Sequence, residues 1–234
     1  MNERDKPLLL TSPIITPGLL REIATALTSD DIRFLKSRGV INHYAKDSVI
    51  ARQGEYIDKL MFLVKGSARS VGMGLDGTEK TFLYFSAGCF IGSEGFLHCQ
   101  PVIFDLRILE DSEVLFIDKD FFHEILSQQN ICLFLMKTIA LASRVLAHQV
   151  EDATFKTTQQ AICRILYCLS DDGQISYKPH FTHQEIADLV GVHRVTVTHI
   201  LGMLKKEGIV QVQPRGHIIV ANREKLHEKI FNEN

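Results

Sequence analysis

A chain of 234 residues, 45% apolar and 23% charged, has room for one large domain or two modest ones and enough apolar material to bury a core. The formal net charge of −2 excludes a uniformly basic nucleic-acid scaffold, although residues 155–234 carry 10 Lys and Arg against 8 Asp and Glu while residues 1–154 carry 16 against 20. The start is charged, and Leu8–Leu10 is too short an apolar run for a signal peptide or a span, so a cytoplasmic protein with no membrane partner is expected.

Residues 17–39 read as helical: Pro17 suits a first turn, Thr28-Ser29-Asp30-Asp31 caps a segment carrying Ile32, Phe34 and Leu35, and Gly39 ends it. From about 40 to 118 the apolar period becomes two. Runs at 40–41, 48–50, 60–64, 82–85, 102–104 and 114–117 alternate with turn signals, which predicts a β-sandwich or roll. Asp76-Gly77 between two such runs predicts a hairpin.

Asp118–Ser127 reads as a short helix and Ile131–Asp152 as a long one without internal Gly or Pro. The long helix is apolar around much of its circumference. Ile131, Leu135, Thr138, Ala142, Val145, Gln149 and Asp152 keep heptad spacing, so we expect one side on the roll and another on a second copy of the chain; the alternative is a buried helix in a monomer. Residues 153–156 form the expected hinge, and Thr157 or Thr158 caps a helix running to Leu169. The five cysteines, Cys89, Cys99, Cys132, Cys163 and Cys168, show no paired spacing, and buried reduced thiols are expected.

Residues 182–202 carry the strongest signal. Thr182 and Glu185 make a capping box; Ile186, Leu189 and Val190 give one apolar face; Ala187 is small where a second helix passes, and Gly191 suits a tight turn. A second helix follows with Val192, Val197, Ile200 and Leu201 turned inward. This spacing is that of a helix-turn-helix, in which the second helix enters the major groove of double-stranded DNA. The alternative, an αα-hairpin in a core, does not account for an outward face of hydrogen-bond donors. The expected DNA-contacting residues are Thr182 and His183 on the first helix, with His193, Arg194, Val195, Thr196, Thr198 and His199 on the second. Residues 209–213 and 217–221, joined by Pro214-Arg215-Gly216, read as a β-wing, whose Arg215 and His217 would touch phosphate.

The order β-roll, long helix, hinge and winged helix-turn-helix resembles the CRP/FNR family of bacterial transcription regulators, from about Phe34 to Ala221. Its marks are Leu63-Val64-Lys65-Gly66, Asp76-Gly77, Gly88-Cys89-Phe90-Ile91-Gly92 and the helix-turn-helix. The segment Val192–Thr198 also resembles the halorespiration regulators of that family. The fold class implied is α+β: an N-terminal, cyclic-nucleotide-binding-like roll and helices (1–127), a dimerisation helix (128–153) and a winged helix-turn-helix domain (154–234). The resemblance implies a homodimer joined through residues 131–152, a small-molecule effector in the roll, and contact with RNA polymerase.

Cyclic-nucleotide members carry Gly-Glu and then Arg-Ser around the phosphate. Here Ser93 follows Gly92, the acid falls at Glu94, Val102-Ile103 stand at the Arg-Ser positions, and Val145-Leu146 replace a polar pair on the long helix. Cyclic AMP is therefore not expected. Residues 1–88 hold no cysteine, so the iron–sulfur cluster of the oxygen-sensing members is not expected either; no other cofactor is, although His98-Cys99 leaves a haem or redox reading open. The expected effector is a small, largely apolar organic molecule, lined by Phe85, Phe90, Phe96, Phe104 and Leu141 and oriented by Ser93, Glu94, Lys137, Ser143 or Arg107. Arg194 is the expected base reader. Val195 stands where related regulators often carry glutamate, and His199 where they carry arginine, which points to an A·T-rich half-site. No nucleophile–base set, phosphate loop or zinc motif suggests an enzyme. A DNA-binding dimer that needs no effector is the main rival.

Overall fold

Strands with one buried face need alternating side chains, and the chain between residues 40 and 117 supplies them. The computed structural model describes residues 14–15, 27–170, 182–212 and 218–231. The wing turn with Arg215 and His217, the loop at Asp171-Asp172-Gly173 and the expected helix over residues 17–26 lie outside these. The strands are β1 (Ile14–Ile15), β2 (Val40–Tyr44), β3 (Val49–Ala51), β4 (Leu60–Lys65), β5 (Ser67–Met73), β6 (Glu79–Ser86), β7 (Phe90–Ile91), β8 (Asp105–Ile108) and β9 (Ser112–Ile117). They form a five-stranded sheet in the order β1-β6-β5-β8-β3 and a four-stranded sheet in the order β2-β9-β4-β7. β4 is the centre of the apolar pattern: Leu60, Met61, Phe62 and Leu63 are all buried, and the strand pairs with both β9 and β7.

Three departures from the expected pattern have local causes. β1 pairs in parallel with β6, through Ile14–Tyr84 and Ile15–Phe85, and two residues are too few to show a period. The apolar run at 102–104 is not a strand: the Val102 amide donates to the Glu55 carbonyl and its carbonyl accepts from Gly54, which holds the run as a loop. The strand begins at Asp105, whose charged neighbour Arg107 hides it from a hydrophobicity reading. β5 escapes notice for the opposite reason, its buried residues Ser67, Ala68 and Ser70 being small.

Helix α1 (Ser29–Arg38) keeps its expected cap, Thr28 and Asp31 exchanging hydrogen bonds in a capping box. α2 (Ser93–His98) follows Gly92, whose φ of 63° and crowding against Met61 admit no side chain cheaply. α3 (Lys119–Ile125) is capped by Asp118. α4 runs from Gln129 to Phe155, so the hinge shrinks to Lys156-Thr157 before α5 (Thr158–Leu169), with Thr157 as its cap.

The heptad-spaced residues are turned into the protomer. Ile131, Leu135, Thr138, Val145 and Asp152 are buried, with Ala142 and Gln149 half-buried. A different register stays exposed along the helix: Leu133, Met136, Ala140, Ser143, Ala147, Val150 and Thr154, at alternating spacings of three and four. A helix apolar on most sides does not show from sequence which seam its own chain will cover. By length and composition alone α4 could cross a membrane, with 33% of its apolar window buried.

The chain divides into two compact units, one built from Ile14–Gly72 and Phe82–Arg144, the other including Met73–Thr81 and Val145–Asn234. The division runs through α4 and assigns the tip of the β5–β6 hairpin to the C-terminal unit. In the first unit Phe62, Phe90 and Phe134 form an aromatic core, with ring centroids 5.0 and 6.3 Å apart. The second adds α6 (His183–Val190), α7 (Arg194–Lys206), β10 (Val210–Val212), β11 (Ile218–Val220) and α8 (Arg223–Phe231). α8 is too polar to be seen by period; it buries only Leu226 and Ile230, and Asn222 accepts from the Lys225 amide at its start.

Inside the second unit a buried ion pair ties the end of α4 to α5: Asp152 takes the Arg164 guanidinium, with Lys156 Nζ at 2.9 Å from the same carboxylate. Arg164 is 4% exposed and Asp152 8%. Asp152→Ala leaves that guanidinium buried without its anion, and should lower urea-denaturation stability by about 3–5 kcal/mol, whereas a change below 1 kcal/mol would mean that water reaches Arg164.

Candidate nucleic-acid interface

Local chemistry builds the helix-turn-helix from its ends. The Thr182 amide donates to Glu185 Oε2 at 2.7 Å and the Glu185 amide to Thr182 Oγ1 at 3.2 Å, which starts α6 at His183. Gly191 stops it at φ 80°, with its amide on the Ala187 carbonyl. The Val192 amide reaches the same carbonyl, so the chain reverses within a few residues. His193 then caps α7 without a side-chain hydrogen bond, so the first-turn amides have no side-chain acceptor.

Packing decides which face of α7 is left outside. Ile162, Leu166, Ile186, Ala187, Val197, Ile200, Leu201 and Leu204 share one buried cluster with Leu226 and Ile230 of α8. His193, Arg194, Val195, Thr198 and His199 are exposed, Val195 to 78%. Thr196 is half-buried, as is His183, and Thr182 is exposed. A valine so exposed at the start of a helix contributes nothing to the core, and it stands beside Arg194 on the face that would meet base edges.

Thr198 is engaged within the domain. Its hydroxyl donates to the Arg194 carbonyl at 3.0 Å, and His183 Nδ1 stands 2.9 Å from the same oxygen. With the Thr198 hydroxyl proton on the Arg194 carbonyl, the Nδ1–H of His183 is the donor to Thr198 Oγ1, and the contact cross-links α6 to α7. Burial, and then the charge of Arg194, lower the His183 pKa below its ordinary 6.5. Two further contacts on this unit escaped the sequence reading because they join residues more than a hundred apart. The Lys80 ammonium donates to the Leu189 carbonyl at the end of α6, and Asp76 Oδ2 lies 3.8 Å from His193 Nε2. Burial depresses the Lys80 pKa to about 8, with Arg164 adding to the effect.

In the first unit the expected effector residues are dispersed among burial classes. Phe85, Phe90, Phe96 and Leu141 are buried, Phe90 within the aromatic core, and Ser93 is 9% exposed. Phe104 is half-buried and stacks on Phe82 at 4.0 Å, and Lys137 is half-buried. Glu94 is exposed; the protein mass around it raises its carboxyl pKa, a shift that water at its open face limits. Among the described residues no three His, Cys, Asp or Glu side chains gather as a metal site. Cys89, Cys163 and Cys168 are buried, and burial pushes the thiols of Cys89 and Cys163 up to about 12, away from the reactive thiolate. Cys99 departs from the expectation of buried thiols: it is exposed.

His183 supplies a pH test of this geometry. A histidine whose folded pKa lies below its unfolded value is stabilising when neutral, so that stability is lost as pH falls below about 6.5. The thermal midpoint of the C-terminal unit should drop between pH 7.5 and 5.5. His183→Gln should flatten part of that drop; an unchanged profile would show that His183 is charged or solvated in the fold.

Comparison with known proteins agrees with both units. Residues 41–129 match the cyclic nucleotide-binding domain family, and residues 154–229 match the Crp-like helix-turn-helix domain family. The cAMP-activated global transcriptional regulator CRP of Salmonella typhimurium is 26% identical over 203 residues, covering 84% of this chain and 97% of that protein. The patatin-like phospholipase domain-containing protein 6 of Mus musculus is 30% identical over 159 residues, 67% of this chain, and the chain spans only 12% of that protein's length. The solved structure of CprK complexed with OCPA shares the fold, with a TM-score of 0.69 and 22% identity over 86% of this chain and 93% of that one. With a roll of the nucleotide-binding type and a packed Crp-like helix-turn-helix in one chain, the protein belongs to the CRP/FNR family and is a DNA-binding transcription regulator.

Proposed function

We propose that this regulator is a cytoplasmic homodimer that reads a palindromic, A·T-rich site and activates transcription with RNA polymerase, under control of a small, largely apolar organic effector other than cyclic AMP. The observation that carries the reading is the exposed edge of α7, where Arg194, Val195 and His199 face outward from a helix whose other side is packed. Arg194 pairs with guanine O6 and N7, Val195 meets a thymine methyl, and His199 is a weaker donor than arginine. The wing residues Arg215 and His217 add phosphate contacts, as does Thr182.

The second copy is held through the exposed register of α4. Leu133, Met136, Ala140, Ser143, Ala147 and Val150 recur at heptad spacing on a face the protomer leaves open. This reading also accounts for the apolar character of α4 without a membrane, since the helix buries its other face in its own chain and carries Lys137, Arg144 and His148 along its length. Doubling the reading helix matches two half-sites and compensates for the weak basic bias of each copy. Met136→Glu or Val150→Glu should convert the dimer to monomer in analytical ultracentrifugation and weaken operator binding with it. A variant that stays dimeric would exclude this seam.

Support for the effector class comes from what stands at the phosphate positions. Ser93, Val102 and Ile103 offer no charge for a cyclic phosphate, whereas Phe85, Phe96, Phe104 and Leu141 supply apolar walls. Lys137 and Glu94 are the polar groups proposed to orient the ligand. The CprK structure of the same fold is complexed with OCPA. His98 and Cys99 are both exposed, which favours an organic effector over a haem ligated by that pair.

Fluorescence anisotropy on palindromic duplexes, at one salt concentration, tests the whole reading. Aromatic acids, cyclic AMP and haem are added in turn. Tightening by one aromatic compound alone is expected; tightening by cyclic AMP would overturn the effector class, and tight binding with no effector would leave a constitutive DNA-binding dimer. Arg194→Ala should lose about 1–3 kcal/mol of discrimination at one base position. An equal loss over all sequences would assign it to phosphate.

A further inference from the structure

We propose that the hairpin tip Met73–Thr81 is a built-in competitor for DNA, holding the Asp76 carboxylate at the end of the reading helix that a phosphate must reach. The inference rests on the DNA-reading role of α7. Its ground is a pair of contacts within the C-terminal unit, to which the tip belongs.

The first contact is the anchor. Lys80 donates its ammonium to the carbonyl of Leu189 in the last turn of α6, where the helix dipole favours a cation. Its side chain lies over the helix-turn-helix turn, so that a Cβ on Gly191 would stand 3.0 Å from Lys80 Cδ. A large side chain at residue 191 would therefore collide with the anchor as well as strain the backbone. Most of the Lys80 amine is withdrawn from water, which marks the contact as packed.

The second contact is the blocking group. The tip turns through Gly77 at φ 80°, and the Gly74 amide closes it on the Thr78 carbonyl at 2.8 Å. Asp76 is fixed in this turn by the Thr78 amide at 3.0 Å and the Thr78 hydroxyl at 2.8 Å. Thus oriented, its carboxylate stands 3.8 Å from His193 Nε2, at the residue that caps α7. Helix N-termini bind phosphate through their free amides and dipole, and the first turn of α7 has no side chain in that role. A carboxylate there repels the DNA backbone.

The contact is built to release. Asp76 and His193 are 62% and 72% exposed, so water screens the contact and its loss is cheap. Leu75, at the summit of the tip, is fully exposed, and Met73 is 60% exposed; a permanent brace would bury such side chains. The tip is continuous in the chain with β5 and β6 of the five-stranded sheet.

The test uses the full chain without effector, on a randomised duplex pool of about 30 bp. Asp76→Asn should raise affinity about three- to tenfold, while Asp120→Asn on α3, an equal loss of charge elsewhere, should change it less than about twofold. Adding Arg194→Ala to Asp76→Asn should abolish the gain, showing that it acts through the reading helix. Lys80→Met should raise affinity likewise, with a thermal melt to show that the domain remains folded. An NMR titration of His193 reads the contact without DNA, and its imidazole resonance should move in Asp76→Asn. An unmoved resonance overturns the proposal, as does equal or lower affinity for Asp76→Asn. If the resonance moves but neither protein binds any duplex, the DNA-reading role itself falls, and the competitor role with it.

Discussion

Helix α4 has more apolar circumference than its own chain can cover, and the organisation of the molecule follows from that excess. Its first half completes the core of the roll, where Ile131, Phe134 and Leu135 are almost fully buried. Its last turn supplies Asp152 to the buried pair with Arg164. One helix of 27 residues thus contributes to both compact units. The face left over has the spacing of a coiled-coil seam. A helix that serves both units is constrained at many positions, which accounts for its lack of Gly and Pro.

Legibility in the sequence followed the range of the interactions. The Thr28 and Thr182 caps, the Gly191 stop and the Asp76-Gly77 turn each depend on residues within four positions and stand where spacing put them, and of Thr157 and Thr158 it is Thr157 that caps. The inward positions of α7, Val197, Ile200 and Leu201, are likewise buried as periodicity requires. The strands β1, β5 and β8 were hidden because pairing partners, rather than their own hydrophobicity, make them strands. The covered seam of α4 was not legible because two heptad registers were both apolar enough, and only the fold decides which one it covers. Lys80 and Asp76 could not be connected to the helix-turn-helix by any pattern, since more than a hundred residues separate them from their partners.

The two units also differ in how they treat polar groups. The roll keeps Ser67, Ser70, Ser93, Ser112 and Thr138 buried among apolar neighbours, each a small hydroxyl able to find a local acceptor or donor. Ser70 Oγ, for example, accepts the Leu83 amide at 3.1 Å, and Ser67 Oγ donates to Glu110 at 2.7 Å. The C-terminal unit instead buries full charges, Asp152, Arg164 and Asp188, with Gln184 donating to Asp188 at 2.7 Å. Hydroxyls tolerate small shifts of their surroundings at low cost. A buried guanidinium–carboxylate pair does not, because its energy depends on one geometry.

The cross-link between His183 and Thr198 has a consequence for how regulatory sites diverge. With its hydroxyl held on the Arg194 carbonyl and facing His183, Thr198 has little freedom to pair with whichever base drifts into reach. On the proposed reading, each half-site then contributes few bits of information, carried chiefly by Arg194 and the methyl contact of Val195. A reader with so small an alphabet accepts many near-matches, and each mismatch it does notice costs only about 1–3 kcal/mol. On that reading promoters can be gained or lost by single base changes, and the proposed dimer gains selectivity by requiring two weak words at a set spacing.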